Sequence, residues 1–330
     1  MRIGLIDVDG HNFPNIPLMK LSAWHKQSGD QVEWYDPVKS GHMDKVYLSK
    51  VFSFTKDYEQ KIDADEIVRG GSGYCISLAG GREIYDHARD RPLPPEIEHI
   101  YPDYAIYFDD EARELDTSGA PTGRLSKKER EKRDTAYGFL TRGCPRHCSF
   151  CHVGAKEGCR SEKVADLSEF WRGQRNIVLC DPNLLACPQH IELLDQAARS
   201  GAKVDFNQGL DARLLNDKNM EVLQRIRLKS VHFAYDRYQD REIIEKQLRW
   251  FHEETGCSKD KGKVTVYILV NYDTTLQQDI ERIQFCRALR FSPYPMIYDK
   301  EHADPVYRRL QRWCSNYIFW KTPSFEDYRG

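Results

Sequence analysis

Three cysteines crowd into eight residues of this chain, Cys144-x3-Cys148-x2-Cys151, directly after a strand-like run over Ala136–Thr141. Soft thiolates that close together suit one iron–sulfur cluster or one zinc ion. A cubane held by only three cysteines keeps one iron open, and an open coordination position is what a reactive metal centre requires. Zinc is the competing occupant. His147 and His152 lie in and just after the loop, and Cys3His is a legitimate structural site. Against it, His152 abuts Cys151, so both side chains struggle to face one ion. A structural zinc loop also usually keeps a second ligand pair some distance on.

Redox context bears on that choice. The 330 residues hold ten cysteines, and the start MRIGLIDVDG reads as a strand, without the basic region, apolar core and cleavage site of an export signal. The expectation is a cytoplasmic protein whose thiols stay reduced. No run of about 18 uncharged apolar residues is present, so no membrane span is expected. With 40% hydrophobic residues the chain can bury a core, and its net charge of −2 excludes only the crudest electrostatic nucleic-acid binding.

The pattern around the motif is α/β. Strand candidates follow at Asn176–Leu179, Lys203–Asn207, Ser230–Tyr235, Val264–Asn271 and Met296–Tyr298. Between them run amphipathic stripes such as Ile243, Ile244, Leu248, Phe251 and Leu276, Ile280, Ile283, Leu289. Six strand–helix units predict a parallel, right-handed, barrel-like sheet, two units short of a full eightfold barrel.

Phe150 precedes the third cysteine, and this signature after the first strand of a six-unit α/β pattern resembles the radical S-adenosylmethionine (radical SAM) superfamily over roughly residues 136–298. The resemblance implies a partial (β/α)6 barrel and a [4Fe-4S] cluster on Cys144, Cys148 and Cys151. It also implies S-adenosylmethionine on the open iron, reductive cleavage to a 5′-deoxyadenosyl radical, and an electron donor such as flavodoxin or ferredoxin. The glycine-rich motif that usually holds the S-adenosylmethionine amino group after the second strand is missing. Cys180-Asp181-Pro182-Asn183 stands there, so Asp181 and Asn183 are the substitutes. Phe150, Asn207, Gln208, Arg213, Asp236 and Asn271, in the motif or near later strand ends, complete the candidate contacts, since ligands of parallel sheets gather at the carboxyl ends. For each strand-end residue a turn or helix-cap role is the plain alternative.

The first 134 residues read as a smaller Rossmann-like domain with a charged linker. Strands are expected at Arg2–Val8, Gln31–Tyr35, Lys45–Phe52 and Asp65–Val68, and a helix from Ile16 that Gly29 ends. Placed before such a barrel, this domain resembles the cobalamin-binding domains of some radical SAM enzymes. Asp9-Gly10-His11-Asn12-Phe13-Pro14 partly matches their D-x-H-x-x-G element, which would make His11 a cobalt ligand, although proline replaces the final glycine. The plain reading is a domain of that ancestry that has lost the cofactor and now packs or binds substrate. Cys75, alone in this region, argues against a methylthiotransferase, whose N-terminal domain normally carries three cysteines.

Gly70-Gly71-Ser72-Gly73 reads as a tight turn or, less specifically, a phosphate cradle. The charge run Gly123–Asp134 reads as a solvated linker or surface helix rather than a binding arm. Cys159, Cys180 and Cys187 match no cluster spacing and read as ordinary, partly buried cysteines. Residues 135–300 would then be the barrel, and 301–330 a helical aromatic tail. In that tail Arg308, Arg309 and Arg312 alternate with Tyr307, Trp313 and Tyr317, which favours packing over base stacking. The expected function is a radical SAM enzyme acting on an unidentified substrate, with methyl transfer or macromolecule modification as options. The rival is a non-enzymatic zinc or iron–sulfur protein with a nucleic-acid partner.

Overall fold

Arg2–Asp7 forms β1, and the polypeptide turns from it into helix α1, Ile16–Gln27. Asn15 caps the helix by accepting from the Leu18 amide, and Gly29, at φ +83°, releases the chain into β2, Gln31–Trp34. β3, Met43–Ser49, and β4, Ala64–Gly70, complete an all-parallel sheet in the order β2-β1-β3-β4. This computed structural model describes residues 1–79, 82–115, 119–315 and 317–330. Contacts divide the chain into two units: residues 1–138, 146–159 and 165–175, and residues 139–145, 160–164 and 176–330.

The first unit realises the expected Rossmann-like alternation only in part. α1 is the sole helix among β1–β4; Tyr35–His42 and Lys50–Asp63 cross without one. Those segments carry no apolar helical stripe, and the first contains Pro37 and Gly41. One face of the sheet packs Ile3 and Leu5 on Leu18, Leu21 and Ile97. The other is covered by Tyr35, Tyr58 and Ile62 around Val46 and Leu48. The chain follows β4 with a close approach: Gly71 sits at φ +95°, and a Cβ there would lie 2.3 Å from the Lys50 carbonyl oxygen. The glycine run is therefore a packed turn against the Lys50 backbone. The charge run becomes helix α2, Lys127–Arg133, a surface helix in which Glu129 is buried. Glu129, 3% exposed, accepts from the Asp109 amide at 3.0 Å and from Arg133 Nε at 3.0 Å. Strand β5, Thr135–Gly138, closes the first long segment of this unit.

The second unit opens on the short antiparallel pair β6, Thr141–Arg142, and β7, Glu162–Lys163. Then come β8, Asn176–Leu179; α3, His190–Ser200; β9, Lys203–Leu210; and α4, Asp217–Arg225. β10, Arg227–Ala234; α5, Arg241–Thr255; β11, Val264–Val270; α6, Leu276–Ala288; and β12, Ser292–Ile297, follow. Five strands lie parallel in the order β8-β9-β10-β11-β12, each joined to the next by one helix. The alternation of burial assigns the faces. Val204, Phe206, Val231, Phe233, Val264 and Val266 are buried against the helices, with the Phe233 ring 4.9 Å from Phe251 of α5. The opposite face carries the polar positions. Helix α7, Pro305–Ser315, buries Tyr307, Leu310 and Trp313, and Arg309 lies over the Phe325 ring, so these aromatics pack, whereas Tyr317 stays exposed. No helix among the described residues is long and apolar enough to cross a membrane.

Candidate functional site

At the carboxyl end of β8 the backbone leaves the sheet through Cys180-Asp181-Pro182-Asn183, and both polar side chains are buried, at 4% and 3% exposure. Asp181 Oδ1 accepts from the Leu140 amide at 3.0 Å, the Thr141 amide and the Thr141 hydroxyl at 2.7 Å. It thereby holds the strand that leads into Cys144. Its second oxygen, Oδ2, is buried with no hydrogen-bond donor. Burial pushes the Asp181 carboxyl up to about 6 against those three donors.

Asn183 turns its amide nitrogen to Cys144 Sγ at 3.5 Å and to Asp211 Oδ2, also at 3.5 Å. A carboxylate only accepts, so the group facing Asp211 must be the NH2. The Asn183 carbonyl oxygen, Oδ1, is left buried and without a donor. Its backbone oxygen is anchored by the Ser161 hydroxyl at 2.8 Å. Asp211 is gripped in turn by Arg213 Nε at 2.8 Å, and Arg213 reaches Asp240 at 2.5 Å. A continuous polar chain thus crosses the ends of β8, β9 and β10.

The remaining expected contacts divide. Arg213 belongs to that chain. Asp236, past the end of β10, accepts from the Leu269 amide at 3.1 Å, and burial raises its carboxyl to about 6. Asn207 and Gln208 flank a register shift where β9 pairs with β10, and Gly209 there adopts φ +104°. Gln208 is exposed, and the Asn207 carbonyl accepts from the Tyr267 hydroxyl at 3.3 Å. Asn271, at φ +63°, donates its side chain to the Tyr298 carbonyl, while its amide bonds Asp279 Oδ2 at 3.2 Å, which is turn work. Arg282, fully buried, pairs with Asp279 and donates to the carbonyls of Tyr235 and Leu269, fastening two strand ends. Sequence reasoning passed over Arg282, Asp240 and Thr141, whose partners lie far along the chain or on a neighbouring turn.

Cys144 is described with the second unit; Cys148 and Cys151 are described with the first. The Cys148 amide bonds the Arg146 carbonyl at 2.8 Å and the Cys151 amide bonds the Cys148 carbonyl at 3.1 Å, so the loop turns tightly at both cysteines. Cys144, Cys148 and Phe150 are half-buried and Cys151 is exposed. Among the described residues no group of three His, Cys, Asp or Glu side chains is arranged to hold a metal ion. The donor set, three thiols on one turning loop, fits an iron–sulfur cluster by its chemistry. His152 is bonded to Glu83 at 2.6 Å, and His147 Nδ1 lies 3.6 Å from Cys159 Sγ. Cys180 and Cys187 are buried, and burial pushes the Cys180 thiol up to about 12 and raises Cys187, the opposite of what a thiolate ligand needs.

In the first unit His11 packs its ring 4.1 Å from Trp34 and edge-on 5.4 Å from Tyr107. Desolvation and Lys132 hold its imidazole below the usual value. The cleft beside it, lined by Asp7, Trp34, Tyr35 and Tyr58, has a volume of about 300 Å³. A space of that size is at the small end for a ligand.

No family model matches this sequence, and no curated protein matches it. Four chains of known structure do. One is Streptococcus suis SuiB bound to S-adenosylmethionine, 12% identical, covering 63% of this chain and 53% of that one, with a TM-score of 0.39. The chain thus spans about half the length of SuiB. A likeness of that degree leaves the functional argument to this chain's own residues.

Proposed function

We propose that the protein is a radical SAM enzyme, with Cys144, Cys148 and Cys151 holding a [4Fe-4S] cluster and the end of β8 holding the amino-acid end of S-adenosylmethionine. The observation that carries this reading is the pair of buried, donorless oxygens, Asp181 Oδ2 and Asn183 Oδ1, two residues apart, with the Asn183 side chain against Cys144. A buried acceptor with no donor is costly unless a ligand supplies one. An ammonium group, three donors and no acceptor, satisfies both oxygens at once. When bound, such a cluster supplies the electron that splits the sulfonium carbon–sulfur bond and releases a 5′-deoxyadenosyl radical.

This chain's own residues do the rest. Asp181 orients the strand before Cys144. Asn183 offers an N–H to the ligating sulfur and its carbonyl to the ammonium. Arg213 and Asp211 keep the Asn183 amide from rotating. The bulge at Asn207–Gly209 brings two further polar residues to the end of β9. A small reducing protein such as flavodoxin is the fitting electron donor.

The test is anaerobic reconstitution with iron and sulfide, followed by S-adenosylmethionine and dithionite and an assay for 5′-deoxyadenosine. Product from the parent and none from Cys148→Ala supports the reading. A protein with an intact cluster, by its spectrum, that forms no product overturns it.

A further inference from the structure

Across the polar face of the second unit's sheet, four strands contribute one row of side chains: Asp205 of β9, His232 of β10, Tyr267 of β11 and Tyr294 of β12. Register makes Tyr267 and Tyr294 direct neighbours, with ring centroids 5.7 Å apart. The His232 ring stacks on Tyr267 at 5.1 Å with an interplanar angle of 6°. Asp205 Oδ1 lies 3.8 Å from His232 Nδ1.

The row contains one unmet demand. Asp205 Oδ1 is buried with no hydrogen-bond donor. Its two polar neighbours spend their protons elsewhere. His232 Nδ1 lies 2.9 Å from the Phe206 carbonyl, which can only accept, so that nitrogen donates there. The Tyr267 hydroxyl donates to the Asn207 carbonyl at 3.3 Å. Beyond it, Tyr294 remains 48% exposed, a large ring presented on an otherwise sheltered sheet. A fold keeps a buried, donorless carboxylate oxygen next to aromatic surface at a cost in stability, and a cationic ligand with planar N–H donors removes that cost.

We propose that this row is a substrate site for a planar N–H-bearing cation, a guanidinium, amidinium or protonated aminoheterocycle, with Asp205 taking its donors and Tyr294 its flat face. The inference rests on the enzymatic reading above for its purpose, but its test does not depend on catalysis.

Benzamidine is the probe and neutral benzamide its control, titrated into the reconstituted protein by calorimetry and ligand-observed NMR. The parent binds benzamidine in preference to benzamide. Asp205→Asn, which keeps the shape and an acceptor but removes the charge, weakens benzamidine at least about tenfold. Tyr294→Leu, on an exposed ring that folding does not need, weakens it as well. Thermal unfolding of Asp205→Asn is at or above that of the parent, because a charged group with a buried, donorless oxygen has gone. Equal benzamidine binding by the parent and Asp205→Asn, or no binding by the parent, overturns the proposal. Loss of 5′-deoxyadenosine formation with benzamidine binding intact strikes the enzymatic reading and leaves this site standing.

Discussion

The Asn183 side chain joins two groups that never meet in sequence: its amide nitrogen is 3.5 Å from Cys144 Sγ and equally far from Asp211 Oδ2. Hydrogen bonds to the sulfurs of an iron–sulfur centre raise its potential by stabilising the more negative, reduced state. Asn183→Leu removes that donor while nearly keeping the volume. The expected result is a cluster that assembles but reduces at a lower potential than the parent's, read by an EPR-monitored redox titration. An unchanged midpoint would make the contact incidental.

Arg282 makes a stability prediction. It is fully buried, and its guanidinium satisfies the carbonyls of Tyr235 and Leu269 and the carboxylate of Asp279. Arg282→Met strands all three acceptors and leaves an unpaired buried charge, a loss of about 3–5 kcal/mol. Urea unfolding measures it, and the variant's midpoint should fall without a change in slope.

Asp236 should write itself into the pH dependence of stability. Its carboxyl is raised to about 6, first by burial, from an ordinary 3.8. The folded protein therefore holds this proton where the unfolded chain has released it, and the contribution, complete below pH 4, is lost as pH rises through 6. Relative to Asp236→Asn, the parent should lose up to about 3 kcal/mol between pH 4 and 6.5. Paired urea titrations at the two pH values give the difference, and a parallel pair of stability curves would refute it.

Gly71 tests the turn after β4. Its φ of +95° and the 2.3 Å from a built Cβ to the Lys50 carbonyl oxygen leave no room for a side chain. Gly71→Ala should cost at least about 2–3 kcal/mol through strain and overpacking. Gly119→Ala, also at positive φ but with open space around it, should cost about 1 kcal/mol. Thermal melts of the two variants rank them.

Much of the second unit was legible because burial writes itself into sequence at fixed periods. Stripes such as Ile244, Leu248 and Phe251 are long enough to average out exceptions, and β11 is nearly all apolar because one face meets helices. The first unit was read less well. The segments joining β2 to β3 and β3 to β4 carry the spacing of crossovers without the apolar stripe of a helix, and only folding shows that Tyr35 and Tyr58 cover that face instead. The run Lys127–Arg133 looks fully solvated by composition, yet Glu129 is buried because Arg133, one turn away, and Lys132 neutralise it locally.

By itself the sequence determined the chemistry available: three thiols on one loop after a strand, and polar residues waiting at successive strand ends. Covalent neighbours need no fold to be near one another. Tertiary structure decided which of those polar residues has a partner. Asp181 and Asn183 keep buried, donorless oxygens, Asn271 is spent on a turn, and Asp205, two residues before the expected cluster of contacts, joins His232 and Tyr267 in a row. Hydrogen-bond satisfaction depends on residues tens of positions apart, and only the register of parallel strands brings those together.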